Sequence, residues 1–241
     1  MNNRVIPAEL APTHTSEPAL LQAEPQALEI DWQRTAVVVI DMQHAFVSKG
    51  AMFDLRGLDI AGSQKIVEPI KRINSAVREK GSKVLYTVTQ YSSDLRETGS
   101  PNSPYWYKGV LTAYREHPEW QDKLLTRGTW GADIVEPLKP QEGDIVVEKQ
   151  RYSGFFGTDL DMILRTYDIK YLVFMGVATN ICVEATIRDA YYLDYFPILL
   201  SDAAANVGPA STQETTIFNV KMCYGWVTTT NNILKALHQL E

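Results

Sequence analysis

The chain has 241 residues, a size that fits one large α/β domain or two small ones. Hydrophobic residues make up 45% of it and charged residues 22%, which is ordinary for a soluble globular protein. The formal net charge of −6 argues against nucleic acid or an anionic membrane as the main partner, and no apolar run approaches the roughly 20 residues of a membrane-spanning helix.

The first thirty residues contain prolines and scattered glutamates with little periodicity. We therefore expect an N-terminal extension over 1–30, followed by one domain over 31–241. The N-terminal segment lacks a basic stretch followed by an apolar one, so we do not expect a secretory signal. The two cysteines, Cys182 and Cys223, are too few for a disulfide framework, and a cytoplasmic location is the simplest expectation.

From Thr35 onward, predicted strands and helices alternate. The run TAVVVID is typical of a strand buried on both faces, and apolar residues from Ile66 to Val77 recur at helical spacing before Gly81 ends the pattern. Residues 90–130, rich in Tyr, Trp, Ser and Pro, are predicted to form a long irregular stretch of the kind that is functional or disordered. Further strands are predicted at KVLYTVT, DIVVEK, KYLVFMGV and FPILLSDA, further helices at TDLDMILRTY, NICVEATIRDAYYLDY and STQETTIFNVKM, and a short strand followed by a helix at GWVTTTNNILKALHQL.

This alternation predicts a mostly parallel sheet with helices on both faces, in which ligands bind beyond the carboxyl ends of the strands. Three reactive side chains stand at those ends. The first strand ends at Asp41, the third ends at Lys149, and Cys182 follows the fourth within a turn. An acid, a base and a thiol are therefore expected to meet at one edge of the sheet.

Each of these residues alone has an ordinary structural explanation, because Asp41 could close a turn, Lys149 could be a solvated strand end and Cys182 could belong to the core. Their combination indicates nucleophilic catalysis. Asp41 could take the thiol proton and later give it to a leaving amine. Lys149 and a helix N-terminus capped by Thr179 or Asn180 are expected to pull the pKa of the Cys182 thiol below the ordinary thiol value of about 8.5.

The segments IDMQ at 40–43, KQRYSGFFGTDLD at 149–161 and GVATNICVEATIRDA at 176–190 resemble the isochorismatase-like cysteine hydrolases. The resemblance extends from about Thr35 to the C-terminus. Within this superfamily the sequence is most similar to the amidohydrolases of ureides, above all the ureidoacrylate group, with biuret and triuret hydrolases nearby. The resemblance implies a three-layer, Rossmann-like α/β/α fold with a six-stranded, mostly parallel sheet, and assembly into homodimers or homotetramers.

The resemblance also implies catalytic roles. It makes Cys182, Asp41 and Lys149 a triad and places a cis peptide between Val177 and Ala178. The backbone N–H groups of Ala178 and Cys182 would then form an oxyanion hole.

Four further side chains are predicted near the substrate. Phe46 and Gln90 lie where this sequence departs from the usual sequence of the ureidoacrylate group. Tyr152 and Phe155 follow Lys149 and could wall the pocket, although Phe155 could equally be part of the core. The histidine before Phe46, His44, could line the pocket too, but a lone loop histidine is more often structural or solvated.

No cofactor or metal is expected. The segment GVATN lacks the G-x-G-x-x-G spacing, and none of the four histidines forms the Asp-x-His pattern that the zinc-dependent nicotinamidases of this superfamily carry. The sequence therefore predicts a metal-free cysteine amidohydrolase that acts on a small linear ureide such as ureidoacrylate and releases ammonia through an acyl-enzyme. The alternatives are a biuret or triuret hydrolase, and a binding protein that keeps the fold without turnover.

Overall fold

The structure, a computed structural model, describes residues 18–238 of the chain. The strands within this range are β1 Ala19–Leu21, β2 Leu28–Ile30, β3 Thr35–Ile40, β4 Lys83–Thr89, β5 Ile145–Lys149, β6 Tyr171–Val177, β7 Phe196–Ala205 and β8 Trp226–Thr228. The α-helices are α1 His44–Val47, α2 Met52–Leu55, α3 Ala61–Lys65, α4 Val67–Glu79, α5 Val110–Glu116, α6 Leu160–Thr166, α7 Glu184–Tyr192, α8 Ala210–Asn219 and α9 Thr230–His238. Strands β3 to β8 form a parallel six-stranded sheet in the order β5-β4-β3-β6-β7-β8, which confirms the predicted fold class.

Strand β3 lies at the centre of this sheet and is buried along its whole length. Val37 and Val39 pack into the hydrophobic core on one face, and Val38 and Ile40 pack into the core on the other. Burying one such side chain stabilises the fold by about 1.5–3 kcal/mol, which explains the unbroken apolar run. The first charged residue of this segment, Asp41, therefore comes only where the strand ends.

Helices cover both faces of the sheet. On one face, Ile70 and Ile73 of α4 are fully buried with the apolar side of α9, as their helical spacing predicted. On the other face, Leu164 of α6 and Ile187 of α7 are fully buried. None of the helices within residues 18–238 is long and apolar enough to cross a bilayer.

Residues 90–130, predicted to be irregular, contain helix α5 and several short 3₁₀ turns. Leu111 and Tyr114 of α5 are buried, so this segment belongs to the packed domain. The prediction missed the helix because α5 spans only seven residues and lies among the prolines and aromatic residues of this segment.

The predicted N-terminal extension is described only from residue 18, and 1–17 lie outside the described range. Strands β1 and β2 form an antiparallel pair, with Leu21 and Ile30 fully buried. Between them, Glu24 exchanges two backbone hydrogen bonds with Val227 of β8, of 2.8 and 2.9 Å. Residues 18–30 thus pack onto the domain and cover the edge strand of the sheet.

Candidate active site

The three reactive residues of the sequence analysis meet at the carboxyl edge of the sheet. Asp41 directly follows β3, and its backbone N–H donates to the carbonyl of Thr87 in β4, at 3.0 Å. Its φ of +52° lies in the left-handed region, which aspartate tolerates better than most residues. This conformation ends the strand, and the side chain of Asp41 is completely buried.

Lys149 ends β5 and reaches Asp41 across the intervening strand β4. Its Nζ donates to Oδ2 of Asp41 at 2.8 Å, to Oγ1 of Thr89 at 2.7 Å and to the backbone carbonyl of Arg151 at 3.2 Å. All three ammonium protons therefore have acceptors, although the side chain is completely buried. Burial is the largest single effect and lowers the pKa of Lys149, but the charge of Asp41, its hydrogen bond and the other neighbouring groups together outweigh burial, and the net pKa is raised.

Thr89 and Gln43 complete this network, and neither had been assigned a role from the sequence. The hydroxyl of Thr89 donates to Oδ1 of Asp41 at 3.1 Å, so both carboxylate oxygens are hydrogen-bonded. The buried amide of Gln43 donates to the carbonyls of Thr89 and Ala132 at 2.9 and 2.7 Å, and its oxygen accepts from the Thr89 N–H at 2.9 Å. Gln43 thus joins the ends of β3 and β4 and fixes Thr89 beside Asp41.

Cys182 lies in a π-helical segment, Thr179–Val183, that leads into α7. Its thiol shares one cavity with Asp41, and the charges of Asp41 and Lys149 both act on it. Burial raises the pKa of the thiol to about 12, because it outweighs the positive charge of Lys149, which lowers the pKa, while the negative charge of Asp41 raises it further within that value. The expectation of a lowered Cys182 pKa was therefore wrong, because removal from water outweighs the nearby positive charge.

The chain around Cys182 approaches β3 closely. Gly176 has a φ of +117°, and a Cβ atom there would lie 2.1 Å from the carbonyl oxygen of Ile40, so only glycine fits. The peptide bond between Val177 and Ala178 is cis, as the resemblance implied. The Ala178 N–H donates no hydrogen bond to any residue within 18–238.

The predicted helix caps were wrong. Ala178 occupies the N-cap position, and no side chain caps the helix there. The side chain of Asn180 instead holds a neighbouring loop, donating to the Val207 carbonyl at 3.0 Å and accepting from the Val207 N–H at 3.0 Å. This pair of bonds positions Val207 in the wall of the cavity that Cys182 also lines.

A cavity of about 150 Å³ opens onto the thiol and the carboxylate. Five residues predicted for the site line it: Asp41, Phe46, Tyr152, Ala178 and Cys182. Most of the remaining wall is apolar. The other wall residues are Phe53, Arg56, Leu58, Thr89, Tyr105, Gly109, Val110, Val177, Ile181 and Val207.

Gln90 and Phe155, both predicted near the substrate, do not line this cavity. The amide of Gln90 donates to the carbonyl of Ala132 at 3.3 Å, in a separate surface groove. Phe155 packs against Tyr195, with ring centroids 5.8 Å apart, in the core that α6 and α7 cover. Thr89 and its successor Gln90 point to opposite sides of the extended chain, so only Thr89 faces the site.

His44 also lies outside the cavity wall. Its ring stacks on Trp130 with centroids 4.6 Å apart, its Nδ1 lies 2.7 Å from the Ser48 hydroxyl, and partial burial lowers its pKa. Tyr105, from the 90–130 segment, does reach the cavity. Its hydroxyl is 2.5 Å from that of the buried Tyr91, which anchors the segment over the site.

Across 18–238, no group of three or more His, Cys, Asp or Glu side chains lies close enough together to hold a metal ion.

Known proteins resemble this chain over most of its length. Residues 35–232 match the family described as the isochorismatase domain. A ureidoacrylate amidohydrolase of Rhizobium rhizogenes is 43% identical over 230 residues, which cover 95% of this chain and 94% of that protein. The crystal structure of a cysteine hydrolase from Pseudomonas syringae pv. phaseolicola is 29% identical, with a TM-score of 0.76, over 94% of this chain and 100% of that one. An N-carbamoylsarcosine amidase from Thermoplasma acidophilum is 26% identical, with a TM-score of 0.62, over 82% of this chain and 97% of that one.

Proposed function

The chain belongs to the isochorismatase family, and on that premise we propose that it is a cysteine amidohydrolase that removes ammonia from a small linear ureide such as ureidoacrylate. The similarity to ureidoacrylate amidohydrolases makes it a hydrolase of non-peptide C–N bonds in linear amides. The observation that carries the proposal is that buried Cys182 lines one mostly apolar cavity together with Asp41, whose carboxylate is hydrogen-bonded to buried Lys149 at 2.8 Å.

In the first half-reaction, the Cys182 thiol gives its proton to Asp41 as its sulfur attacks the terminal carbamoyl carbon. The carbonyl π electrons move onto oxygen, and that oxyanion accepts hydrogen bonds from the backbone N–H groups of Ala178 and Cys182. When the intermediate collapses, the C–N bond breaks. The nitrogen leaves as ammonia with the proton held by Asp41, and the acyl group stays on sulfur.

In the second half-reaction, Asp41 takes a proton from water, and the resulting hydroxide attacks the carbonyl carbon of the thiocarbamate formed on Cys182. The C–S bond then breaks, and the sulfur recovers its proton from Asp41. Lys149 keeps its charge throughout. Its hydrogen bonds to Asp41 and Thr89 hold the carboxylate in one position for both proton transfers.

The high pKa of the thiol is compatible with this sequence of steps. Ionising a thiol of pKa about 12 at pH 7 costs about 7 kcal/mol. A turnover of 1 to 10³ per second corresponds to a barrier of about 13–17 kcal/mol, so the thiolate need not exist before substrate binds. A resting thiol that ionises only toward an adjacent carboxylate also avoids side reactions with oxidants.

The test is ammonia release by the purified protein from ureidoacrylate, biuret and triuret. We expect turnover of ureidoacrylate, and a loss of about 10³-fold or more in Cys182→Ser because a hydroxyl is a far weaker acid than a thiol. Rapid quenching should show Cys182 carrying the mass of the substrate minus ammonia. Faster turnover of biuret or triuret would favour that alternative, and no ammonia from any of them would favour a binding protein without turnover.

We also propose a cytoplasmic location and a homo-oligomer, either a dimer or a tetramer. Two free cysteines, one of them exposed, support the location because disulfides are rare in the cytoplasm. Exposed apolar side chains, among them Tyr192, Phe218 and Met222, support the assembly. Tyr192 and Met222 line a groove of about 760 Å³ that contains none of the three reactive residues.

A further inference from the structure

The cavity wall contains one guanidinium group, that of Arg56, which was not predicted from the sequence. Arg56 directly follows α2 and is solvent-exposed, whereas Cys182 in the same cavity is nearly buried. Arg56 therefore lies at the mouth of the cavity and Cys182 at its base. Arg56 Nη1 donates to the carbonyl of Gly109 at 3.2 Å, and Gly109 is itself part of the wall.

Arg56 differs from most other arginines of the domain in its partners. Arg78 and Arg188, for example, pair with the carboxylates of Asp144 and Glu184. Arg56 forms no ion pair with any carboxylate in the described part of the chain, and its one hydrogen bond there goes to a neutral carbonyl. A guanidinium held in place with most of its donors unused is suited to bind a carboxylate in two parallel hydrogen bonds.

The charges of the cavity wall favour an anion at the mouth of the cavity, where Arg56 lies. Asp41 is compensated by Lys149 at 2.8 Å, so the buried end of the cavity has no net charge. Of the remaining wall residues only Arg56 is charged. An anionic group near Asp41 would be repelled, whereas one at the mouth would meet Arg56. The apolar side chains between the two ends, such as Phe53 and Val110, suit an uncharged middle of the ligand.

We propose that Arg56 binds a carboxylate of the substrate at the end opposite the reacting carbamoyl group. The substrate class is then the small N-carbamoyl compounds that carry a carboxylate, in preference to neutral ureides such as biuret. This inference rests on the proposed function, because it assumes that the carbamoyl carbon is placed at Cys182.

The test compares ureidoacrylate with its methyl ester, which keeps the ureido group and removes the negative charge. In the wild type, kcat/KM for the acid should exceed that for the ester by about 10- to 100-fold, the usual worth of a hydrogen-bonded charge. Arg56→Gln should lose about this factor on the acid, mainly through KM, and leave the ester unchanged. Arg72→Gln, at an exposed position of α4 outside the cavity wall, should leave both substrates unchanged and controls for net charge.

Two outcomes would overturn the assignment: equal loss on acid and ester, which means a structural role, and no loss on either. A wild type that releases no ammonia would instead refute the proposed function. In that case, binding of the acid and the ester to Cys182→Ala, with and without Arg56→Gln, still decides the role of Arg56. Tighter binding of the acid that requires Arg56 supports the proposal, and equal binding of acid and ester refutes it.

Discussion

Replacing Lys149 with methionine tests whether the buried charge pair acts as one unit. Methionine fills a similar volume but leaves the Asp41 carboxylate buried without its partner at 2.8 Å. Breaking a fully buried pair in this way costs about 3–5 kcal/mol. In a chain of this size, 1 kcal/mol corresponds to about 2–4 °C in Tm, so we expect Tm to fall by about 6–20 °C.

The partner substitution completes a double-mutant cycle. Asp41→Asn leaves the Lys149 ammonium buried without its counter-ion and should also lower Tm. The double variant removes both charges, so its stability loss should be clearly smaller than the sum of the two single losses. The losses of activity should also be smaller together than their sum. Each single variant should lose most turnover, and the double variant should be scarcely worse, because the members of a catalytic unit are not additive.

The assay is urea and thermal unfolding followed by circular dichroism, with ammonia release measured on the same preparations. Lys139→Met is the matched control, because Lys139 pairs with Glu136 at the exposed surface and its removal should leave Tm unchanged. If Lys149→Met melted with the wild type and kept its turnover, the pair would contribute to neither stability nor catalysis. Strictly additive losses in the cycle would show that the two residues act independently.

The remaining predictions concern the thiol of Cys182 and the expectation that no metal takes part. In a Cys223→Ser background, alkylation of Cys182 by iodoacetamide should increase with pH well above the ordinary thiol pKa of about 8.5, and a midpoint below that value would contradict the raised pKa. Asp41→Asn should move that profile to lower pH and Lys149→Met to higher pH, because the two charges act on the Cys182 pKa in opposite directions. The pKa of Cys182 is higher in the folded state than in the unfolded state. The contribution of the buried thiol to stability is therefore complete below about pH 8.5 and is lost as the pH rises toward 12. Urea unfolding of the wild type and of Cys182→Ala across this pH range measures that contribution. EDTA should leave ammonia release unchanged, and a loss that added zinc restores would show that a metal takes part.

Much of the fold and the three reactive residues could be predicted from the sequence. The run TAVVVID identified the central strand because only a strand covered on both faces tolerates an unbroken apolar sequence. Alternation with helices then required parallel strands, whose carboxyl ends share one edge. Asp41, Lys149 and Cys182 follow from that geometry, since each is the reactive residue at or just after a strand end.

The rest of the site depends on contacts between segments far apart in the chain. Thr89 and Gln43 meet across 46 residues, and nothing local to either indicates that contact. Arg56 lines the cavity because it follows α2, which packs against α1. Gln90 does not line the cavity because the side chain of its neighbour Thr89 points toward the site and that of Gln90 points to the other side of the chain. The pKa of Cys182 also depends on contacts between segments far apart in the chain. The sequence determined which charges stand near the thiol, but only the tertiary structure decided how much water is removed from it, and that burial outweighs the positive charge of Lys149.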